Sequence, residues 1–359
     1  MSFHVSVVKK VVLEKKVKFY MSELRQRLDS GEWVIMAPER LKGKTLSKVS
    51  NLAHDTLPVH DQNCPFCIGN DDRFDNVEID RINCAVTNDW TVRCLENKFQ
   101  IFSNHDLLPP EPREFVKDGI YNKFSRYGNH ELVIESAEHN KTLGNMTHDE
   151  VSNVVEMYYK RYKALNNDIN THTIIFKNHG PMSGASQKHP HSQIVSMMVV
   201  PEHTRSLING AIEYYDRHGR CVFCTIIEHE QKVNDRVIYQ NDKFIALTPY
   251  ASSVPYEIEI YPKKHEADFS VMHGEDIIEF SDCLRIVMRK LYKALSNPDY
   301  NIIFRNPPYH LSKVLYYHWH LKIVPYLITP GGFELGTAMG VNILTPEEAA
   351  ETLRNIDID

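Results

Sequence analysis

The sequence has no long apolar run, no excess of one charge and few cysteines. No stretch of its 359 residues approaches the ~18 consecutive apolar residues of a membrane span. The N-terminal residues alternate apolar and charged side chains and lack the apolar core of a signal peptide, so we expect a cytoplasmic protein. The 41 basic and 47 acidic side chains give a net charge of −6 without charge blocks. Only a short lysine-rich run, Lys9–Lys18, is basic, and without an aromatic platform it predicts a solvated segment rather than a nucleic-acid site.

Seven cysteines are too few, and odd in number, for a disulfide scaffold in a chain of this length. Four of them form two CxxC pairs, Cys64 with Cys67 and Cys221 with Cys224. In a reducing compartment such pairs indicate metal sites or a redox motif. The 19 histidines are the other unusual feature, while the 42% hydrophobic content is that of a globular protein with a large core.

The chain contains an internal duplication, because three motifs occur twice in the same order. They are CPFC at 64–67, HELVIESAEH at 130–139 and HPHSQI at 189–194, then CVFC at 221–224, YEIEIYPKKH at 256–265 and HWHLKI at 318–323. The second motif spans the same length in both halves, and the distances from its last histidine to the HxH pair, 50 and 53 residues, nearly agree. A period this long indicates two copies of a domain rather than a solenoid.

Each half has the pattern of an antiparallel sheet with one long helix. The segments at 149–165 and 276–295 carry apolar residues at helical spacing, whereas LVIE and IEIY alternate as half-buried strands do. The predicted fold is therefore α+β, with two related domains packed together. We expect the domains at 1–200 and 201–359, with the boundary in the turn-forming, charged segment at 201–219.

Each half also offers two thiols, a histidine at a strand end and an HxH histidine, which match the four ligands of a closed structural zinc site. The first predicted site contains Cys64, Cys67, His139 and His189, and the second contains Cys221, Cys224, His265 and His318. His320 is an alternative to His318. The other interpretation of the CxxC pairs is a thioredoxin-like redox site, but neither pair lies in a βαβ pattern. Two structural zinc ions per chain are expected.

His191 is the HxH histidine of the first half that the metal leaves free. A neutral imidazole near pH 7 is a competent nucleophile or general base. The upstream run from Asn178 to Ser186 is rich in small residues and hydroxyls, which can present donors to phosphate oxygens. Gln193 shares a face of the strand with His191, because residues i and i+2 lie on one side. These residues predict a phosphate-handling site.

The chain resembles the galactose-1-phosphate uridylyltransferase family of the histidine-triad superfamily over nearly its whole length. The matching segments are DSGEWVIMAPER at 29–40, CPFCIGN at 64–70, TND at 87–89, GAS at 184–186, HPHSQ at 189–193 and GFELGT at 332–337. The resemblance implies two histidine-triad-like domains and a homodimer that binds a nucleoside diphosphate sugar and a sugar 1-phosphate. The charge distribution and the lack of a long apolar run predict no nucleic-acid or membrane partner.

The resemblance also implies a double displacement through a covalent nucleotidyl-histidine at His191. Ser186 and Gln193 match the family's phosphoryl-oxygen donors, Asn178 a phosphate-side asparagine, and Arg40 a basic residue near the distal phosphate. Asn88 and Asp89 match a pair near the ribose. By the residues alone, Asn88 and Asp89 are also consistent with a simple turn and Arg40 with a surface arginine. No second active centre is expected at His320, where Leu321 and Lys322 replace Ser192 and Gln193.

Three positions depart from the uridylyltransferase pattern. Ser192 occupies a position that is often glycine, Gly43 stands where a second basic residue follows Arg40, and Ala338 stands where a glutamate grips galactose. The GFELGT tail and HxHSQ also resemble the plant-type ADP-glucose phosphorylase branch. Because the order of the motifs along the whole chain fits the uridylyltransferases best, the first interpretation is a UDP-glucose–hexose-1-phosphate uridylyltransferase. The alternatives are an ADP-glucose phosphorylase, a dinucleotide phosphorylase or hydrolase, and a zinc-braced nucleotide-binding protein without turnover.

Overall fold

The computed structural model describes residues 22–41, 57–70, 74–104, 116–168 and 171–358. The run Lys9–Lys18 and Gly43 lie outside these residues. Within them, no helix is long and apolar enough to cross a membrane.

In its described residues, the first half contains nine strands and one long helix. Its strands are β1 (Glu23–Gln26), β2 (Trp33–Met36), β3 (Glu78–Asn83), β4 (Trp90–Glu96), β5 (Val116–Asp118), β6 (Tyr121–Lys123), β7 (Gly128–Ile134), β8 (His172–His179) and β9 (His191–Met197), and its helix is α1 (His148–Leu165). The predicted helix at 149–165 is thus confirmed. A capping box, in which Thr147 and Glu150 bond each other's backbone N–H groups, begins it.

The second half begins with two helices and then repeats the plan. Its elements are α2 (Glu202–His218), α3 (Val222–Val233), β10 (Val237–Gln240), β11 (Phe244–Leu247), β12 (Ile258–Pro262), α4 (Gly274–Leu295), β13 (Tyr300–Arg305), β14 (His320–Pro325), α5 (Gly332–Thr337), β15 (Gly340–Asn342) and α6 (Pro346–Arg354). The predicted helix at 276–295 is confirmed as α4. The α+β class with antiparallel sheets is confirmed as well.

Both halves share one ten-stranded antiparallel sheet. Its order is β10-β11-β12-β14-β13-β8-β9-β7-β4-β3. The order is palindromic: β3, β4, β7, β9 and β8 correspond to β10, β11, β12, β14 and β13, and the halves meet where β8 pairs with β13. Residues from α1 and α4 pack together with one face of this sheet in the main core. The boundary near residue 201 stays a prediction.

A separate three-stranded sheet, β1-β2-β15, ties the start of the described chain to the second half. In it β2 pairs in parallel with β15, which follows α5 near the C-terminus. Arg27 and Asp29 directly follow β1 and are almost fully buried. The chain therefore carries two charged side chains from the first half into the interior of the second.

Candidate active site and metal centres

The structure gathers the four residues of the first predicted metal site. The Cys67 Sγ atom lies 3.4 Å from His139 Nδ1, Cys64 Sγ lies 3.5 Å from His189 Nδ1, and the two Nδ1 atoms are 3.3 Å apart. All four side chains are buried. His189 Nε2 lies 2.8 Å from the Ser136 carbonyl oxygen, and as donor to it leaves the Nδ1 lone pair free for a metal.

The second cluster repeats this geometry with His318 rather than His320. Cys224 Sγ lies 3.3 Å from His265 Nδ1 and 3.7 Å from His318 Nδ1. The Nε2 atoms of the two histidines face carbonyl oxygens, those of Val314 at 3.1 Å and Pro262 at 2.9 Å. The four ligand atoms of each cluster lie within 4.8 Å of one another.

Both clusters fit a tetrahedral zinc ion by their chemistry and dimensions. Zinc with bonds of about 2.3 Å to sulfur and about 2.0–2.1 Å to nitrogen separates its ligand atoms by roughly 3.3–3.8 Å. The five Sγ–Nδ1 and Nδ1–Nδ1 distances given above, between 3.3 and 3.7 Å, lie in this range. With four protein ligands no position remains for an activated water, so such a site stabilises structure rather than supplying a nucleophile.

His191 begins β9 directly after the first cluster. Its Nδ1 atom lies 2.9 Å from the His189 carbonyl oxygen, and donating to that oxygen makes Nε2 the unprotonated nitrogen. Burial lowers the pKa of His191 and outweighs the opposing effect of this hydrogen bond. The imidazole is therefore neutral at pH 7, with the Nε2 lone pair available as a nucleophile. The Phe66 ring, from CPFC, lies 5.9 Å from the His191 ring.

The opposite face of β9 holds a buried ionic network. Lys177 Nζ donates to Glu135 Oε2 at 2.6 Å and to the His191 carbonyl oxygen at 3.1 Å. Ser192 Oγ donates to Glu135 Oε1, and the Tyr158 hydroxyl lies 2.6 Å from Ser192 Oγ. Ser192 thus faces α1 and supports the strand from behind. The serine at this position, where the family often has glycine, therefore changes the packing behind His191 and does not contact a sugar.

The loop between β8 and β9 is shaped by residues of the second half. Gly180 has a φ of +85°, and a Cβ atom there would lie 1.8 Å from Asp299 Oδ1. The Met182 N–H donates to Asp299 Oδ2 at 2.6 Å. Asn301 Nδ2 donates to Asn178 Oδ1 at 2.7 Å, which leaves the Asn178 amine as the end of that amide available to a ligand. The loop is therefore fixed before any phosphate binds.

The remaining predicted substrate residues lie on exposed segments. Asn88 and Asp89 form the turn between β3 and β4, where Asn88 adopts a φ of 61°. Arg40 lies in a single 3-10 turn after β2, and Ser186 in the loop before β9. Within the described ranges, the structure shows no hydrogen bond or ion pair from Arg40, Asn88 or Asp89 to His191. Their roles stay predictions.

His320, the counterpart of His191 in the second half, is enclosed by other side chains. His320 is 2% exposed, and its ring stacks on Tyr261 with the centroids 5.0 Å apart. Arg27 covers the same face of the sheet, bonding Asp29 at 2.8 Å, Glu259 at 2.8 Å and Glu257 at 3.1 Å. Lys322, the counterpart of Gln193, bonds Glu257 at 2.8 Å. These side chains occupy the face on which a substrate would have to approach His320.

Sequence reasoning missed the supporting side chains of the site, which are Glu135, Tyr158, Lys177, Asp299 and Asn301. Glu135 lies within the duplicated motif at 130–139, but neither it nor the other four has a spacing that indicates its role, because each acts through tertiary contacts. One signal was the charge of Lys177 within the apolar run IIFKN, since a lysine is almost never fully buried unless it is paired.

Comparisons with known proteins agree over most of the chain. A family model described as "Galactose-1-phosphate uridyl transferase, N-terminal domain" matches residues 12–201. ADP-glucose phosphorylase of Arabidopsis thaliana is 31% identical over 340 residues, covering 94% of this chain and 93% of that protein. Galactose-1-phosphate uridylyltransferase of Thermotoga maritima is 26% identical over 348 residues, covering 94% and 100%.

A solved structure shows the same architecture. The crystal structure of the Arabidopsis thaliana ADP-glucose phosphorylase with bound ADP-glucose has a TM-score of 0.80 to this chain at 28% identity. The match covers 95% of this chain and all of that one. Both named activities of these relatives are nucleotidyl transfers.

Proposed function

Because this chain belongs to the galactose-1-phosphate uridyl transferase family and is a nucleotidyltransferase, we propose that it transfers its nucleotidyl group through a covalent bond to His191. The observation that carries the proposal is the state of that imidazole. Its Nδ1–H is held by the His189 carbonyl oxygen, and its Nε2 lone pair is free. A positioned neutral imidazole is the nucleophile that such a step requires.

The first step forms a bond from His191 Nε2 to the α-phosphorus of a nucleoside diphosphate hexose. The bond from that phosphorus to the bridging oxygen breaks, and hexose 1-phosphate leaves with the electron pair. In the second step an oxygen of the acceptor phosphate attacks the same phosphorus, and the P–N bond breaks to regenerate the imidazole. Gln193, Ser186 and the Asn178 amine are the proposed donors to the phosphoryl oxygens.

For the substrates, we propose ADP-glucose as donor and inorganic phosphate as acceptor. Supporting this choice are the 31% identity to a plant ADP-glucose phosphorylase and the GFELGT tail. Uridylyl transfer from UDP-glucose to a hexose 1-phosphate is the second candidate, supported by the family model and the Thermotoga relative. Against it stands Ala338, whose methyl group cannot accept hydrogen bonds from galactose hydroxyls.

We further propose zinc in both Cys/His clusters and a homodimer. The zinc proposal rests on the donor sets and spacings described above. The homodimer rests on the family resemblance alone.

A substrate panel tests the function. The protein is incubated with ADP-glucose, UDP-glucose or a diadenosine polyphosphate, each with and without inorganic phosphate or galactose 1-phosphate. Nucleotide labelled at the α-phosphate should form an acid-labile adduct on the protein, discharged by the acceptor. We expect turnover with ADP-glucose and phosphate. Turnover confined to UDP-glucose and galactose 1-phosphate would establish the second candidate, and binding without any adduct would refute covalent transfer.

A further inference from the structure

His130 lies beside the proposed phosphoryl-oxygen donor Gln193. Strands β7 and β9 pair so that Leu132 is opposite Gln193 and His130 opposite Val195. Residues two apart share a face of a strand, so His130, Gln193 and His191 all lie on one face of the sheet. The His130 Nε2 atom is 2.7 Å from Gln193 Oε1. His130 is itself 4% exposed.

The surroundings of His130 determine which atom donates in this contact. The Ile101 backbone N–H donates to His130 Nδ1 at 3.2 Å, so Nδ1 bears the lone pair and the proton of the neutral ring is on Nε2. The Asn97 side-chain amine lies 3.3 Å from Nδ1 and 3.0 Å from Nε2, and of these two atoms it can donate only to Nδ1, which bears the lone pair. Nε2 therefore donates to the carbonyl end of Gln193, and the Gln193 amine is the end left for a ligand.

The second half contains the same pair of positions with different chemistry. There Glu259 is opposite Lys322, as Leu132 is opposite Gln193, so by strand pairing Glu257 corresponds to His130, one residue beyond Tyr256, which the duplicated motifs align with His130. Glu257 bonds Lys322 at 2.8 Å. The fold thus places a side-chain contact at this position in both halves. In the second half this contact is the ion pair between Glu257 and the Lys322 ammonium group.

We propose that His130 is a positioning residue that holds the Gln193 amide in one orientation, with its amine toward the phosphoryl group transferred at His191. This inference rests on the proposed function. A glutamine amide that rotates by 180° presents an oxygen to the phosphoryl oxygens and repels them. Holding the amide beforehand avoids that orientation and removes a reorganisation step from the reaction.

A double-mutant cycle tests this role. His130→Phe keeps the ring and removes the donor, and Gln193→Ala removes the group on which the donor acts. Loss of one oriented donor lowers kcat by ~10²–10³, and we expect H130F alone to lower kcat by about tenfold with KM changed less than about threefold. In the Q193A background, H130F should change kcat by less than about twofold, because no amide remains to be oriented. His130→Gln, which can donate from its amine, should recover most of the rate.

The matched control is His172→Phe, because His172 is a buried histidine on β8 that does not contact Gln193. It should leave kcat within about twofold of the wild-type value in either background. If H130F lowers kcat as much in the Q193A background as in the wild-type protein, His130 acts through general stability and the proposal is wrong.

A second measurement is independent of turnover. The Gln193 side-chain amide resonance, assigned by its loss in Q193A, should shift in H130F and not in H172F. An unchanged resonance overturns the positioning role even if His191 forms the adduct. Absence of the adduct in wild-type protein, with the resonance shift present, would instead overturn the proposed function alone.

Discussion

At the scale of single residues, the site depends on His191 and the atoms that hold it. The His189 carbonyl oxygen accepts a hydrogen bond from His191 Nδ1, and the Lys177 ammonium group donates to the His191 carbonyl oxygen. Lys177 and Glu135 are both almost fully buried. Removing one partner of such a pair costs about 3–5 kcal/mol, because a charge is left buried without compensation. The proposed nucleophile is thus fixed by a network that lies outside the HPHSQ motif.

His191→Asn should abolish turnover and leave the fold intact. Asparagine keeps a polar side chain of smaller size but cannot form the nucleotidyl-histidine, and the proposed metal ligand is His189, which this change leaves in place. We expect less than about a hundredth of wild-type activity, on the scale of general acid–base contributions of 10²–10⁴. Activity, metal content and thermal unfolding are measured together. Activity above that level in a folded protein would exclude His191 as the nucleophile.

At the scale of elements, the two Cys/His clusters brace equivalent strand ends with unequal consequences. In the first half the cluster includes His189, whose carbonyl oxygen orients His191. In the second half His318 makes the equivalent contact to His320 at 3.2 Å. Because His320 is sealed by the side chains around Arg27, its orientation has no catalytic effect.

Cys64→Ser and Cys221→Ser should therefore differ in their effect on rate. Each should lose about one zinc ion and lower thermal stability, since four-ligand sites contribute directly to folding. Only C64S should also lower kcat strongly when assayed below its unfolding temperature. Elemental analysis of wild-type protein purified without chelator should give two zinc ions per chain. One ion or none would contradict the double site.

At the scale of the whole molecule, the ten-stranded sheet makes the two halves one structure. The loop before the proposed nucleophile is fixed by Asp299 and Asn301 from the second half, and Arg27 from the first half forms ion pairs with Glu257 and Glu259 of the second. The two faces made by the duplication therefore differ, and the face around His320 is filled by charged side chains. The filled face consists of buried charges whose partners come from distant parts of the chain.

This filled face should make stability depend on pH through Asp29. Burial alone would raise the Asp29 pKa, but the Arg27 guanidinium outweighs it and, with Lys322 and His320 nearby, lowers the pKa to about 2. A carboxyl whose folded pKa is depressed stabilises the protein above its unfolded pKa, and this stability is lost as pH falls toward the folded pKa. The contribution at neutral pH is on the order of 2–3 kcal/mol.

Asp29→Asn should thus lower the free energy of unfolding at pH 7. Between about pH 4 and pH 2, the free energy of unfolding of the variant should fall less than that of the wild-type protein. Denaturant titrations at each pH measure the difference, and metal loss common to both proteins cancels in it. Asp216→Asn, an exposed position on α2, is the control and should parallel the wild-type curve. Parallel curves for D29N would refute the coupling.

Much of the candidate site could be predicted because its signals are local. CxxC spacing, the equal offsets of the two duplicated motifs and the period of two in a strand indicate which side chains share a face. These signals predicted the ligand sets that the structure brings together and the shared face of His191 and Gln193. Apolar residues at helical spacing predicted both long helices. The choice of His318 over His320 was left open, because spacing alone fits either residue.

The sequence by itself determined the duplication, the α+β class and the family, and it indicated the candidate residues of the site. Only the tertiary structure decided that the halves join through β8 and β13, that Ser192 faces α1, and that His130 contacts Gln193. Hydrophobic periodicity and motif spacing are local patterns, so they can be recognised in a single sequence. A buried charge or amide must find a partner wherever the fold brings one, and those partners lie up to 232 residues away, as Arg27 and Glu259 do.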